Sequence, residues 1–135
     1  MKQVGCNEVD KSMNEMEEFD YTVEQFADLQ LLRYKVYGFE ELSLKQKELI
    51  YYLSQAALQG RDILFDQNGK YNLLIRKMLE TVYTEYQGDR TDVNFVNLET
   101  YLKRIWFSNG IHHHYASDKF VPGFTPEFLR DALNS

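Results

Sequence analysis

Between Asn109 and Phe124 the chain reads N-G-I-H-H-H-Y-A-S-D-K-F-V-P-G-F, and here imidazole, phenol, carboxylate and amine groups crowd together. Three consecutive histidines, His112, His113 and His114, invite a metal ion. Adjacent residues, however, do not converge on one centre: on a helix their side chains fan out by about 100° per residue, and on a strand only His112 and His114 share a face. First-row ions want ligands from separate elements backed by a second shell. The better chemical reading is a loop lining a cleft, where neutral imidazoles donate and accept hydrogen bonds. Tyr115 beside them adds a flat apolar face with a hydroxyl rim, and irregular segments held by a rigid frame commonly do such work. Asp118 and Lys119 can pair locally, Phe120, Val121 and Phe124 are expected to pin the loop, and Pro122-Gly123 turns it.

Other chemistry is sparse. The chain has no glycine-rich phosphate loop, no Gly-x-Ser-x-Gly elbow and no His-Glu-x-x-His zinc helix. The single cysteine, Cys6, has no histidine near it and forms no intrachain disulfide. Gln3-Val4-Gly5-Cys6 faintly resembles the end of a lipoprotein signal, but only five residues precede the cysteine where an apolar run is needed. The sequence therefore predicts a cytoplasmic protein, with an envelope lipoprotein anchored through Cys6 as the alternative if a signal was trimmed. No run approaches the roughly 20 apolar residues that span a membrane. With 15 Lys+Arg against 21 Asp+Glu the formal charge is -6, which argues against a binder tracking a nucleic-acid backbone. Paired carboxylates such as Glu17-Glu18 and Glu40-Glu41 read as solvated charge.

The elements that must position the loop read as helices. At 135 residues, 44% of them hydrophobic, the chain supports one ordinary domain. Residues 1–20 are expected to be a flexible acidic tail and 21–135 a helical segment. Thr22-Val23-Glu24-Gln25 matches a capping box, and Phe26, Leu29, Leu32 and Val36 follow at helical spacing, so a first helix is expected to end near Gly38. Ser43-Leu44-Lys45-Gln46 opens a second helix with Leu49, Tyr52, Leu53 and Ala56 on one face and Ile50 and Ala57 widening it. It is expected to be buried on more than one side and to continue to about Gln67, where Asn68-Gly69 stops it, with a helix end at Gly60 as the competing reading. A third runs from about Tyr71 to Tyr86 through Ile75, Met78, Leu79 and Val82. A fourth spans about Val93 to Ser108, defined by Phe95, Leu98, Leu102, Ile105 and Trp106 and closed by Asn109-Gly110. Thr125-Pro126-Glu127 starts a last helix. The expected fold class is all α, an irregular bundle of about five helices. The apolar face of that last helix, so near Ser135, suggests a chain cut from something longer.

Two segments carry a resemblance to a known family: Tyr52-Leu53-Ser54-Gln55-Ala56-Ala57-Leu58-Gln59-Gly60-Arg61-Asp62-Ile63, and Asn109 through Ser117-Asp118-Lys119-Phe120-Val121-Pro122. Together they resemble the dipeptidyl peptidase III zinc metallopeptidases, the bacterial members more closely than the eukaryotic ones. The similarity covers about Tyr21 to Ser135, nearly all of this chain but only the beginning of such an enzyme. It implies a two-lobed peptidase that removes dipeptides from the N-terminus of oligopeptides, of which this chain is part of the N-terminal, non-catalytic lobe. The family's zinc sits on a His-Glu-x-x-Gly-His helix and a later glutamate motif in the other lobe, and neither is in this sequence. The resemblance thus implies no catalytic residue and no metal ligand here. It implies substrate contact for His114 and Tyr115, Tyr115 standing where the family places a groove-lining aromatic. The three histidines depart from the eukaryotic pattern. The implied partners are an oligopeptide substrate and the remaining catalytic lobe, and a fragment lacking that lobe can self-associate through the faces it leaves bare. The competing reading, from a different class, is a self-sufficient helical interaction module using its Tyr-rich surface.

Overall fold

The computed structural model describes residues 19–134, and the acidic run Asn14–Glu18 and Cys6 fall outside the described residues. The chain is mostly helical with one small antiparallel sheet. It divides into two compact units between Tyr37 and Gly38.

The first unit corrects the expected first helix. Strands β1 (Thr22–Phe26) and β2 (Leu29–Leu32) form a hairpin around Ala27-Asp28, in the register Phe26 opposite Leu29, Gln25 opposite Gln30 and Glu24 opposite Leu31. The three-residue spacing of Phe26 and Leu29, which imitates a helical stripe, is the distance across a tight turn. Val23, Phe26 and Thr22 favour strand, and Leu29-Gln30-Leu31-Leu32 alternates half-buried and exposed. The turn requires Ala27 at φ 51, an unfavourable angle for a residue with a Cβ. Thr22 does not cap a helix: its Oγ1 accepts from Gln30 Nε2 at 3.0 Å across the hairpin. Phe19 and Asp20 join this unit, Asp20 Oδ1 accepting from the Thr22 N–H at 2.9 Å.

The second unit holds helices α1 (Leu44–Gln59), α2 (Arg61–Asn68), α3 (Asn72–Glu85), α4 (Val93–Ser108) and α5 (Pro126–Asn134). The Ser43 capping box is present: Ser43 Oγ accepts from the Gln46 N–H and Gln46 Oε1 accepts from the Ser43 N–H. The helix it opens does not reach Gln67 but breaks at Gly60, whose N–H turns back to Ala57 O at 3.2 Å. Gly60 lowers helix propensity at the point where α2 must redirect Phe65 into the core. The other correction concerns burial. α1 has no buried residue, and Leu49, Tyr52 and Leu53 are 57%, 67% and 60% exposed.

Phe65, Leu79, Val82, Leu98, Leu102 and Ile105 are buried together where α2, α3 and α4 meet, each worth about 1.5–3 kcal/mol of transfer free energy. Phe128, Leu129 and Ala132 of α5 pack against that cluster. Thr125 Oγ1 caps α5 by accepting from the Phe128 N–H at 3.2 Å. Trp106 is 40% exposed and donates from Nε1 to Glu80 Oε1 at 2.7 Å. Arg76, almost wholly buried on α3, reaches Asp62 Oδ1 at 2.7 Å and lies over the Phe65 ring at 4.6 Å. Its Nε lies 3.3 Å from Glu80 Oε1, an ion pair without hydrogen-bond geometry. The Asp62 carboxyl is held below the usual carboxylate range first by its bond to Arg76.

Candidate functional site

α4 ends where Asn109 enters the left-handed region at φ 53, a conformation asparagine tolerates better than most residues. The Asn109 carbonyl accepts from Asn68 Nδ2 at 3.2 Å, tying the end of α4 to the end of α2. The chain then doubles back as a short ribbon. Phe120 N–H donates to Ile111 O and His113 N–H donates to Asp118 O, each at 2.8 Å, and His112 faces Lys119 as a bridge pair. At its base Asn97 Nδ2 donates to Gly123 O at 2.7 Å, and Phe124 stands edge-on to Tyr101. Phe120 and Phe124 are half-buried as anchors of this ribbon. Val121, expected among them, is 87% exposed and anchors nothing.

Beneath the ribbon lies a cavity of about 390 Å³. Its floor is Asn68, Asn72, Ser108 and Gly110; its wall is His112, His113, His114, Ala116 and Ser117. Two floor side chains come from positions that periodicity assigns to core. Asn72 is 2% exposed and Ser108 7% exposed. Asn72 Oδ1 accepts from the Ile111 N–H at 3.3 Å, which orients the amide and leaves Nδ2 without a partner. Ser108 Oγ is likewise buried and unpartnered. The amide is wedged between two glycines. A Cβ added at Gly69 would come within 2.9 Å of Asn72 Nδ2, and one at Gly110 would collide with the same nitrogen and stand 2.9 Å from Cγ.

The wall adds donors. His113 Nδ1 accepts from the Tyr115 N–H at 3.2 Å, so in the neutral ring the proton sits on Nε2. His113 and His114 stack at 4.4 Å with their planes 27° apart, and Phe107 meets His114 edge-on at 5.1 Å. Rings stacked side by side do not close around an ion, and no group of three or more His, Cys, Asp or Glu among the described residues is placed to hold one. The lining contains no carboxylate, so it holds no negative side chain. It can present hydrogen-bond donors from the imidazoles to oxygen acceptors.

Of the two residues singled out from the sequence, His114 lines the cavity, whereas Tyr115 is 88% exposed outside the lining with its ring 4.2 Å from that of His114. Asn72 and Ser108 escaped the sequence reading. Each is a polar residue on a helical apolar stripe, Asn72 seven positions before Leu79 and Ser108 three after Ile105, and that mismatch was the available signal. Among the described residues no helix is long and apolar enough to cross a membrane. No family model matches the sequence, and no curated protein matches it.

Proposed function

We propose that this chain forms the non-catalytic, peptide-contacting wall of the cleft in a dipeptidyl peptidase III-like zinc enzyme, as part of its N-terminal lobe. The observation that carries the reading is the donor-lined cavity under His112, His113 and His114, with the exposed Tyr115 beside it. An extended peptide presents a regular series of carbonyl oxygens, the partners such a lining lacks. Zinc and the catalytic groups would belong to residues outside this sequence, so no chemical step is assigned to this chain. Its partners are then the oligopeptide and the catalytic lobe, with no nucleic acid, and its location is the cytoplasm.

The test is direct. Purified chain, with and without added zinc, should release no dipeptide from a chromogenic dipeptidyl substrate, yet an alanine oligopeptide should perturb the amide resonances of Ser108, Gly110 and His112–Ser117. Zinc-dependent turnover by the chain alone would defeat the proposal, as would a peptide that leaves those resonances unmoved.

A second reading, a stand-alone interaction module, is favoured by the bare apolar face of α1, where Leu49, Tyr52 and Leu53 are each more than half exposed. Faces of this kind commonly mark a surface that meets another protein. Light scattering separates the two. A stable, saturable dimer lost in Leu53→Glu supports the module, and a monomer that still binds peptide supports the cleft wall.

A further inference from the structure

The groups of the cavity that a solute can reach are the imidazoles of its wall. His112 and His113 are half-buried and His114 is exposed, and all three line the same space. His113 Nδ1 takes the Tyr115 N–H. The other ring nitrogens have no hydrogen-bond partner among the described residues, and those of His112 and His113 are not sealed from solvent as Asn72 Nδ2 and Ser108 Oγ are. The charged groups nearby bring no carboxylate into the lining. Lys119 pairs with His112 across the ribbon, and Asp118, exposed and outside the lining, meets His113 through its backbone carbonyl. From α4, Phe107 stands edge-on to His114, and Arg104 lies over the Phe120 ring that meets His113. The Tyr115 ring lies against His114, and α2 and α3 contribute the uncharged Asn68 and Asn72.

His113 and His114 stack at 4.4 Å, so charging both rings sets like charges face to face. His113 also loses the Tyr115 N–H bond if Nδ1 takes a proton, because both nitrogens of an imidazolium are donors. A division of labour follows: His112 and His114 carry the positive charge, while His113 stays neutral and donates from Nε2. We propose that the histidine ribbon is an oxyanion site, in which a carboxylate or phosphate group is held by His112 and His114 as imidazolium cations and by Nε2 of neutral His113. Charge-assisted hydrogen bonds are shorter and stronger than neutral ones, and imidazole is the side chain that gains its charge between about pH 8 and pH 5. The site therefore fills as the pH falls through that range. It stands apart from the cleft-wall reading, because a peptide terminus and a phosphate ester present the same kind of oxygen.

The experiment titrates the chain itself, at fixed ionic strength, with sulfate, acetate, methyl phosphate and the neutral isostere acetamide, followed through the amide and imidazole resonances. Sulfate, whose charge is constant over the range, should shift the amides of Gly110 and His112–Ser117 and bind roughly tenfold or more tightly at about pH 5.5 than at about pH 8. Acetate should follow the same trend, and acetamide should bind weakly at both. By linkage, sulfate should raise the titration midpoints of the His112 and His114 rings, since it binds their charged forms, and leave His113 to titrate last. His114→Gln, at an exposed position, keeps a donor and removes a charge, and should weaken sulfate severalfold at the lower pH. Replacing His112 and His114 together with Gln should abolish the pH dependence, with the Ile111 amide still protected as evidence that the ribbon is intact. An N-acetylated alanine tetrapeptide with a free or an amidated C-terminus separates the two sources of oxyanion. Preference for the free terminus assigns a peptide carboxylate. Methyl phosphate bound more tightly than acetate, with both peptides equal, assigns a phosphate ester. Sulfate binding that is the same at both pH values, acetamide equal to acetate, or shifts scattered over the surface away from the ribbon would each overturn the site. If the anions fail while the amidated tetrapeptide still binds, the oxyanion site falls and the cleft wall stands.

Discussion

Asn72→Ala isolates how the site is held. The substitution removes the acceptor of the Ile111 N–H, the first residue pair of the ribbon that carries the histidines. An orphaned buried N–H costs about 1–3 kcal/mol, and Ile111 is half-buried, which places its share near the lower end. Removing three heavy atoms leaves a void of roughly 25 Å³, worth about 0.6 kcal/mol at the cavity coefficient. Against these stands a gain of about 1 kcal/mol, because the unpartnered Nδ2 goes as well. The net expectation is a loss of about 0.6 kcal/mol, lowering the melting midpoint by roughly 2–5 °C. The discriminating readout is local: hydrogen exchange at the Ile111, His113 and Phe120 amides should accelerate by more than exchange in the middle of α4. Asn72→Asp, which retains the acceptor, should leave that exchange close to the parent's. Asn72→Ala with unchanged ribbon exchange and unchanged midpoint would refute the reasoning that Asn72 tethers the ribbon to α3.

The remaining expectations are shorter. Leu102→Ala, at a wholly buried position of α4, should cost about 2–5 kcal/mol in denaturant unfolding, whereas Leu53→Ala on the bare face of α1 should stay within about 0.5 kcal/mol. Gly110→Ala should displace the Asn72 amide that its Cβ would strike, visible as shifted Ile111 and Asn72 resonances. The Asp62 carboxyl sits below its ordinary range because Arg76 donates to it, with burial opposing and the charges of Arg76 and Lys77 assisting. A lowered folded-state value makes the contribution fully present above about pH 4 and lost as the pH falls through the folded value. The difference in melting midpoint between parent and Asp62→Asn should therefore be largest near neutrality and shrink steadily from pH 4 towards pH 2. Zinc titrated calorimetrically into the chain should show no tight site, and replacing His112 and His114 together should change nothing in that titration.

The helical part of this fold was legible wherever a capping residue coincided with an apolar period. Ser43 with Gln46, Asn109 after α4, and Thr125 before Pro126 all mark real ends. The hairpin was not legible because Phe26 and Leu29 stand three apart both on a helix and across a two-residue turn, and the Thr22-x-x-Gln25 box looks the same in either. Strand pairing decided the matter through the β-forming Thr22, Val23 and Phe26. Burial of α1 was over-read for a different reason. Periodicity reports which side of a helix is apolar and says nothing of whether a neighbour covers it, and Leu49, Tyr52 and Leu53 are each left more than half exposed. At the site, the histidine run announced the loop but drew attention to metal chemistry. Asn72 and Ser108 are single polar residues inside core stripes, and only the folded chain shows that α3 and α4 bring both to the lining of one cavity.

The central claim, that the cavity beneath the histidine ribbon receives a peptide, is met most directly by a two-dimensional amide titration of the chain with an N-acetylated alanine tetrapeptide. Saturable shifts concentrated at Asn72, Ser108, Gly110 and His112–Ser117 are the result expected. Shifts confined to α1, or none at all, would contradict it.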